Sequence, residues 1–142
     1  MRRPGVRYPR MLPDTQPYWE GCRQRELRYQ VCNDCGEVVF HARAACPYCL
    51  SPALRWERSA GKGAIYSFAI QQLPVDRENP GKVPITLGIV QLDEGFHMFT
   101  EIDTVDRNLL KIGARVSVYF DQVAEDLVLP KFRLERAGGG GP

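Results

Sequence analysis

Two pairs of closely spaced cysteines constrain the fold of this chain more than any other feature. Cys32 and Cys35 form the first C-x-x-C pair, and Cys46 and Cys49 form the second after ten intervening residues. Each pair allows two thiolates from one tight turn to reach a single ion, and two such turns complete a tetrahedron. The spacing therefore predicts a structural zinc site with these four cysteines as its metal ligands.

A closed shell of four thiolates leaves no position for water or substrate, which argues against a Lewis-acid role for the metal. A rubredoxin-type iron centre uses the same all-sulfur tetrahedron and is the competing interpretation. The chain has five cysteines, an odd number, and four of them lie in the two tight pairs. This usage is typical of a metal site in a reducing compartment, so we expect a cytoplasmic protein.

Composition and charge exclude several classes of protein. The 142 residues are 44% apolar and 25% charged, which is typical of a packed globular domain. The net charge is +3 over residues 1–19, +1 over 20–58 and −2 over 59–142. The acidic balance of the third segment argues against nucleic-acid binding. No apolar run could span a membrane, and no signal peptide is recognisable.

The N-terminal part of the chain is expected to contain one short helix. Residues 1–14 combine three prolines with four arginines and predict an irregular arm, which is either a docking segment or a solvated tail. An N-cap at Asp14 or Thr15, with Pro17 in the first turn, predicts a helix over 16–25. Tyr18, Trp19 and Cys22 recur along it at helical spacing.

The remainder of the chain is expected to be mainly β. Alternation over residues 27–32 and the apolar run 38–40 predict the hairpin of a zinc ribbon, with Gly36 at the turn beneath the metal. Further short β-rich runs are at 54–58, 63–73, 85–92, 97–102, 115–121 and 128–134. Five or so strands in about 80 residues indicate a small closed barrel of the OB type. The expected domains are an arm (1–14), a helix and zinc ribbon (15–58), an OB-fold (59–136) and a flexible tail (137–142).

Four other residues are weaker functional candidates. Cys22 is either a small buried residue or a catalytic thiol, but no histidine near it in sequence could act as its base. His41 could replace a thiolate at the metal, and His97 could act as an acid or base or simply be a strand residue. Lys62 lies between two glycines and could meet a coenzyme A phosphate or be solvated. No motif of a self-sufficient active site is present, so we predict no catalytic residue.

A set of short motifs in a fixed order covers residues 15–134 and resembles the DUF35 family. The motifs are Trp19-Glu20, Cys32-x-x-Cys35-Gly36, Cys46-Pro47-x-Cys49, Ser51, Gly61-x-Gly63-x-Ile65-Tyr66-Ser67-Phe68, Pro84, Leu92-Asp93-Glu94-Gly95, Ile112-Gly113-x-x-Val116 and Pro130-x-Phe132-Arg133. The chain departs from the family in two places. It has His41-Ala42-Arg43 where members often have Pro-Pro-Arg, and Leu50 where a glycine commonly follows the last cysteine.

The resemblance implies an N-terminal helix and rubredoxin-like zinc ribbon joined to an acyl-CoA-associated OB-fold. It also implies an accessory subunit of a thiolase, synthase or aldolase complex, with a coenzyme A thioester as the substrate of that complex. The implied partner is a thiolase-like subunit in a hetero-oligomer, for example α2β2, with a MaoC-like hydratase as a further partner. Catalysis by the chain alone is not expected. A single-stranded nucleic-acid-binding module is the alternative function, because zinc ribbons and OB barrels both bind strands.

Overall fold

The structure, a computed structural model, describes residues 9–74, 84–104 and 107–135. It contains one short α-helix, a three-stranded sheet and a closed five-stranded barrel. The elements are a 3-10 turn at Pro13–Thr15, α1 (Gln16–Arg23), β1 (Arg28–Cys32), β2 (Val38–Val39), β3 (Leu54–Arg58), β4 (Lys62–Gln71), β5 (Ile85–Leu92), β6 (His97–Asp103), a 3-10 turn at Arg107–Leu109, β7 (Arg115–Ala124) and β8 (Leu127–Leu134). The predicted class, mainly β with a helix and zinc ribbon before an OB-fold, is confirmed.

Helix α1 is two residues shorter than the sequence predicts, and Thr15 is its N-cap residue. The Thr15 hydroxyl does not bond to the first backbone N–H groups of the helix. It accepts a hydrogen bond from Nε1 of Trp19 at 3.0 Å and donates to the Leu12 carbonyl at 2.8 Å. The cap residue therefore fixes the buried Trp19 ring and the chain that enters the helix.

The ribbon sheet has the strand order β2-β1-β3. The predicted hairpin is present, with Val31 opposite Val38, but β2 is only two residues long. Strand β3 adds a third antiparallel strand, with Trp56 opposite Gln30. This pairing joins strands on opposite sides of the second C-x-x-C pair, so local periodicity in the sequence could not indicate it.

The barrel closes in the order β4-β5-β6-β8-β7, with β7 pairing back to β4. All neighbours are antiparallel except β6 and β8, whose parallel ladder is Ile102 opposite Phe132 and Asp103 opposite Arg133. This is the five-stranded closure of an OB-fold. Each predicted barrel strand is present, with ends that differ by up to three residues. A 3-10 turn at Arg107–Leu109 lies between β6 and β7.

The ribbon and the barrel share one hydrophobic core. Leu27, just before β1, is 1% exposed and packs with barrel residues such as Val90 and Phe132. The Phe96 ring lies between Tyr29 and Phe40, with centroid distances of 5.0 and 4.8 Å. Because these stacked rings come from both parts of the chain, the ribbon is held against the barrel by core packing.

Hydrogen bonds reinforce the junction. The Glu94 carboxylate, in the β5–β6 turn, accepts from the Ser59 hydroxyl at 2.7 Å and from the Ala60 N–H at 2.8 Å. These two residues connect β3 to β4, so the connection is fixed to the barrel. The residues outside the described part of the chain are 1–8, 75–83, 105–106 and 136–142. They include most of the predicted arm and the whole predicted tail (137–142). The predicted domain boundaries stay predictions.

Candidate metal centre and apolar cavity

The structure brings the four predicted ligands together at the end of the ribbon. Every pair of their sulfur atoms lies within 4.8 Å. The Sγ atoms of Cys32 and Cys49 are 3.5 Å apart, and those of Cys35 and Cys46 are 3.6 Å apart. A tetrahedron with metal–sulfur bonds of about 2.3 Å requires sulfur separations of roughly 3.8 Å. The four thiols therefore fit one tetrahedral zinc or iron ion.

The two metal-binding turns, or knuckles, have the same backbone geometry. In the first, Cys32 donates to the Glu37 carbonyl and accepts from the Gly36 N–H. In the second, Cys46 donates to the Ser51 carbonyl and accepts from the Leu50 N–H. The residue after the second cysteine is left-handed in both, with φ of 77° at Gly36 and 65° at Leu50. Glycine adopts this conformation freely, but a leucine does so only at a cost.

Backbone N–H groups point at the sulfur atoms and favour thiolates. The Cys35 N–H lies 3.5 Å from Sγ of Cys32, and this and other hydrogen bonds lower the pKa of that thiol to about 7. Burial and the neighbouring thiols instead raise the pKa of Cys35 and of Cys49. The Tyr48 N–H makes the equivalent contact to Sγ of Cys46 at 3.4 Å. Donors that stabilise a thiolate also stabilise a metal–thiolate bond, so the knuckles are prepared for a cation.

Side chains around the knuckles hold the loop between them. The buried Gln30 amide donates to the Arg43 carbonyl at 3.0 Å and accepts from the Arg43 N–H at 2.9 Å. The Ser51 hydroxyl donates to the Asp34 carboxylate and so joins the second knuckle to the first. Cys32 and Cys46 are buried, whereas Cys35 and Cys49 are exposed, so the centre lies at the surface of the ribbon.

A cavity of about 660 Å³ lies where helix α1, the ribbon loop and the barrel meet. Its polar side chains are few, and its walls include Tyr18 and Trp19 of the helix and Phe40 of the loop. The barrel side is formed by Leu87, Met98, Phe99, Thr100, Glu101, Leu129, Pro130 and Lys131. The sequence did not predict this cavity, because its walls come from five segments that are distant in the chain.

Lys131 lies at the wall of this cavity between two carboxylates. Its Nζ is 2.7 Å from Oδ2 of Asp121 and 3.3 Å from Oε2 of Glu101. The Lys131 side chain is 17% exposed, whereas Asp121 and Glu101 are 43% and 33% exposed. Its charge is therefore already balanced within the barrel.

The structure assigns the weaker sequence candidates to other environments. The Cys22 thiol is completely buried beside Trp19, and burial raises its pKa to about 12. The His41 ring lies 4.7 Å from the Phe40 ring at a tilted angle, lines the cavity and is not part of the cysteine group. His97 is stacked on Tyr66, with ring centroids 4.8 Å apart. Lys62 is paired with Glu135 at 3.3 Å and with the Ser117 hydroxyl at 2.9 Å.

Sequence reasoning missed the exposed apolar side chains near the metal. Tyr48 is 67% exposed and Leu50 is 78% exposed, and both belong to the second knuckle. The position of Leu50 directly after the last cysteine, where Gly36 stands in the first knuckle, was the available signal. We call Tyr48 and Leu50 the knuckle tip.

The fold and the cysteine cluster define a zinc-ribbon and OB-fold protein, and comparisons with known proteins agree. Residues 19–55 match the family described as the ChsH2 rubredoxin-like zinc ribbon domain, and residues 56–121 match the ChsH2 C-terminal OB-fold domain. The chain is 32% identical over 118 residues to a DUF35 domain-containing scaffold protein of Methanothermobacter thermautotrophicus, covering 82% of this chain and 88% of the relative. This chain belongs to the DUF35 family.

Two further relatives are named as parts of larger enzymes. The chain is 31% identical over 110 residues to the 3-oxo-4,17-pregnadiene-20-carboxyl-CoA hydratase alpha subunit of Mycobacterium tuberculosis, covering 76% of this chain but only 34% of that protein. A solved structure described as the Ltp2-ChsH2(DUF35) aldolase contains a chain with a TM-score of 0.79 and 26% identity. That match covers 89% of this chain and 98% of the other.

Within residues 9–74, 84–104 and 107–135, no helix is long and apolar enough to cross a bilayer.

Proposed function

We propose that this chain is a cytoplasmic, non-catalytic subunit that binds structural zinc through Cys32, Cys35, Cys46 and Cys49. Its partner is a thiolase-superfamily protein in a hetero-oligomer, and it helps to bind or channel the acyl-CoA substrate of that complex. The observation that carries the proposal is the separation of two parts of the chain. The ribbon has a closed shell of four thiols, and on the barrel Lys62, Arg115 and Lys131 are each paired with a carboxylate.

The family relatives support an accessory role. One relative is named a scaffold protein, one is the alpha subunit of a CoA-ester hydratase, and a structural relative comes from an aldolase. Each of these names describes a part of an assembly or a scaffold for one. A chain with a rigid ribbon–barrel unit suits that role, because a preorganised surface loses little entropy on association.

The knuckle tip is the surface that we propose for contact with the partner. Its two apolar side chains are exposed, and the metal-held turn beneath them is anchored to the barrel through Tyr29, Phe40 and Phe96. Leu50 also keeps a side chain in a conformation that favours glycine. Strain of this kind is retained at contact and functional sites more often than elsewhere.

Charge pairing weakens the nucleic-acid alternative. Lys62, Arg115 and Lys131 each lie within 3.3 Å of a carboxylate oxygen on the barrel. A phosphate backbone would have to displace these carboxylates, so the barrel offers a poor groove for a nucleic-acid strand.

Affinity purification of the full-length tagged chain from its native cells tests this proposal. We expect a thiolase-superfamily protein to co-elute, and we expect Leu50→Gly to reduce its recovery at least tenfold with the zinc content unchanged. The matched control is Ile112→Ser, which removes an equally exposed apolar side chain between β6 and β7. Equal loss of partner with both variants, or elution of the wild-type chain without such a partner, would contradict the proposal.

A further inference from the structure

The cavity between helix α1, the ribbon loop and the barrel has the construction of a ligand site. We propose that it binds an uncharged, largely apolar group of a small molecule, which carries at most a hydroxyl or carbonyl. This inference goes beyond the proposed function, because the binding belongs to the isolated chain and requires no partner.

The size and walls of the cavity suit such a ligand. A volume of about 660 Å³ is within the usual range for small-molecule sites, which are mostly apolar. The Tyr18 ring is edge-on to Trp19 at 4.9 Å and to Phe40 at 5.9 Å, so the aromatic side of the cavity is already packed in place. A preformed apolar wall costs little reorganisation when a ligand enters.

The charges at the cavity exclude an anionic ligand. Among the described residues that line the cavity, Lys131 is the cation that the barrel contributes. The carboxylates of Asp121 and Glu101 already surround its Nζ. This cluster carries a net negative charge, so a carboxylate or phosphate placed beside it would be repelled. A positive ligand would have to leave water for an apolar space, which is also unfavourable.

The two helix side chains that line the cavity, Tyr18 and Trp19, are neutral. Nε1 of Trp19 donates to the Thr15 hydroxyl, and that hydroxyl donates to the Leu12 carbonyl. Burial raises the pKa of the Tyr18 hydroxyl far above its usual range, so this side chain stays neutral. The helix therefore presents neutral rings to the cavity.

The barrel leaves a backbone edge open at this position. The β5–β6 hairpin begins with the Leu92 N–H bonded to the Phe96 carbonyl. In an antiparallel pair, every second residue bonds to the neighbouring strand. Phe99 is three residues after the bonded Phe96, so its N–H and C=O groups point away from β5. The described ladder between β6 and β8 begins only at Ile102, so the two strands diverge beside Phe99, where the cavity lies. One hydroxyl or carbonyl of a ligand could bond to this edge.

Intrinsic fluorescence gives a direct test, because Trp19 lines the cavity and Trp56 of β3 does not. In a Trp56→Phe variant, 1-hexanol, 1-heptanol and 1-octanol should each change the Trp19 emission and displace the neutral dye Nile red. Affinity should rise by about fourfold for each methylene that is buried. Octanoate at pH 8 should bind at least tenfold more weakly than 1-octanol.

Two variants on the same face of β5 locate the site. Leu87 lines the cavity, whereas Ile89, two residues further along, does not. Leu87→Glu should weaken 1-octanol binding at least tenfold, and Ile89→Glu should leave it within twofold of the Trp56→Phe parent. Ala42→Phe, which fills the cavity from the ribbon loop, is a second blocking variant.

The inference fails if 1-octanol does not bind, if octanoate binds equally well, or if Leu87→Glu and Ala42→Phe both bind 1-octanol like the parent. Zinc content and the thermal midpoint of each variant establish that it is folded. Failure of ligand binding with normal recovery of the thiolase-like partner would overturn this inference and leave the proposed function intact.

Discussion

At the scale of single residues, both knuckles require a positive φ at the residue that follows their second cysteine. Gly36 adopts it without cost, because glycine is free to adopt a positive φ, whereas Leu50 at φ 65° is strained. The strain is local, since the Leu50 side chain is 78% exposed and gains little from burial. The fold therefore does not explain the identity of Leu50, and the proposed contact with a partner would account for it.

Cys22 provides a residue-scale prediction. Its thiol is completely buried, so a reagent in solution cannot reach it in the folded chain, and burial also raises its pKa to about 12. After chelation of the metal, iodoacetamide should alkylate the exposed Cys35 and Cys49 and leave Cys22 unmodified until the chain is unfolded. Peptide mass spectrometry measures this. Alkylation of Cys22 in folded protein at the rate of Cys49 would contradict it.

The residues whose role could be predicted from the sequence were those whose spacing alone determines that role. Two C-x-x-C pairs predict a four-sulfur cluster because each tight turn fixes two ligands without help from the rest of the fold. The roles of His41 and Lys62 could not be predicted. They depend on Phe40 and Glu135, whose positions are set by long-range packing.

At the scale of secondary-structure elements, Phe96 is the main link between ribbon and barrel. Its ring is 6% exposed and stacks on Tyr29 and Phe40 of the ribbon. Phe96→Ala should lower the free energy of unfolding by about 3–5 kcal/mol, as expected for a buried ring. Phe99→Ala, on the next strand but 69% exposed, is the control and should cost less than about 1 kcal/mol. Urea denaturation measures both, and equal losses would contradict this account of the junction.

A surface ion pair fastens the β5–β6 turn to the start of β7 and should make stability depend on pH. Asp93 accepts two hydrogen bonds from Arg115, at 2.7 and 2.9 Å, and these lower its pKa. A lowered carboxyl pKa gives stability that is complete above the unfolded value of about 3.9 and is lost as the pH falls through the folded value. Because both side chains are about half exposed, the effect is small and is reduced by salt.

The Asp93→Asn variant tests this linkage. Its stability in urea should fall less steeply than that of the wild type between pH 5 and pH 2, and the difference should disappear in the Arg115→Gln background. Identical pH profiles for wild type and Asp93→Asn would contradict the role of the pair.

The elements themselves were largely predictable, because alternating apolar residues and Gly-containing turns indicate strands within a short window. The pairing of β3 was not. The predicted domain boundary at residue 58 places this strand with the ribbon, but its sequence is typical of any half-buried strand and does not indicate that it pairs with β1. The apolar cavity was unpredictable for the same reason, since Tyr18, Phe40 and Leu87 meet only after the ribbon docks on the barrel.

At the scale of the whole molecule, the metal centre, the aromatic junction and the barrel form a continuous path from the knuckle tip to the cavity. Phe40 contributes to both the Phe96 stack and the cavity wall. A partner held at the knuckle tip would thus be connected by rigid packing to the proposed ligand site. In the proposed function, this chain would supply shape and its partner would supply the reacting groups.

The most direct test of this account is acyl-CoA turnover measured with three samples, namely the purified chain, the thiolase-like protein that co-elutes with it, and the two recombined. We predict no turnover by this chain alone and activity in the recombined pair that exceeds that of the partner alone. A Cys32→Ser chain, in which the ribbon loses its metal, should fail to restore that activity. Robust turnover by the isolated chain, or a partner whose activity is the same with and without it, would contradict the account.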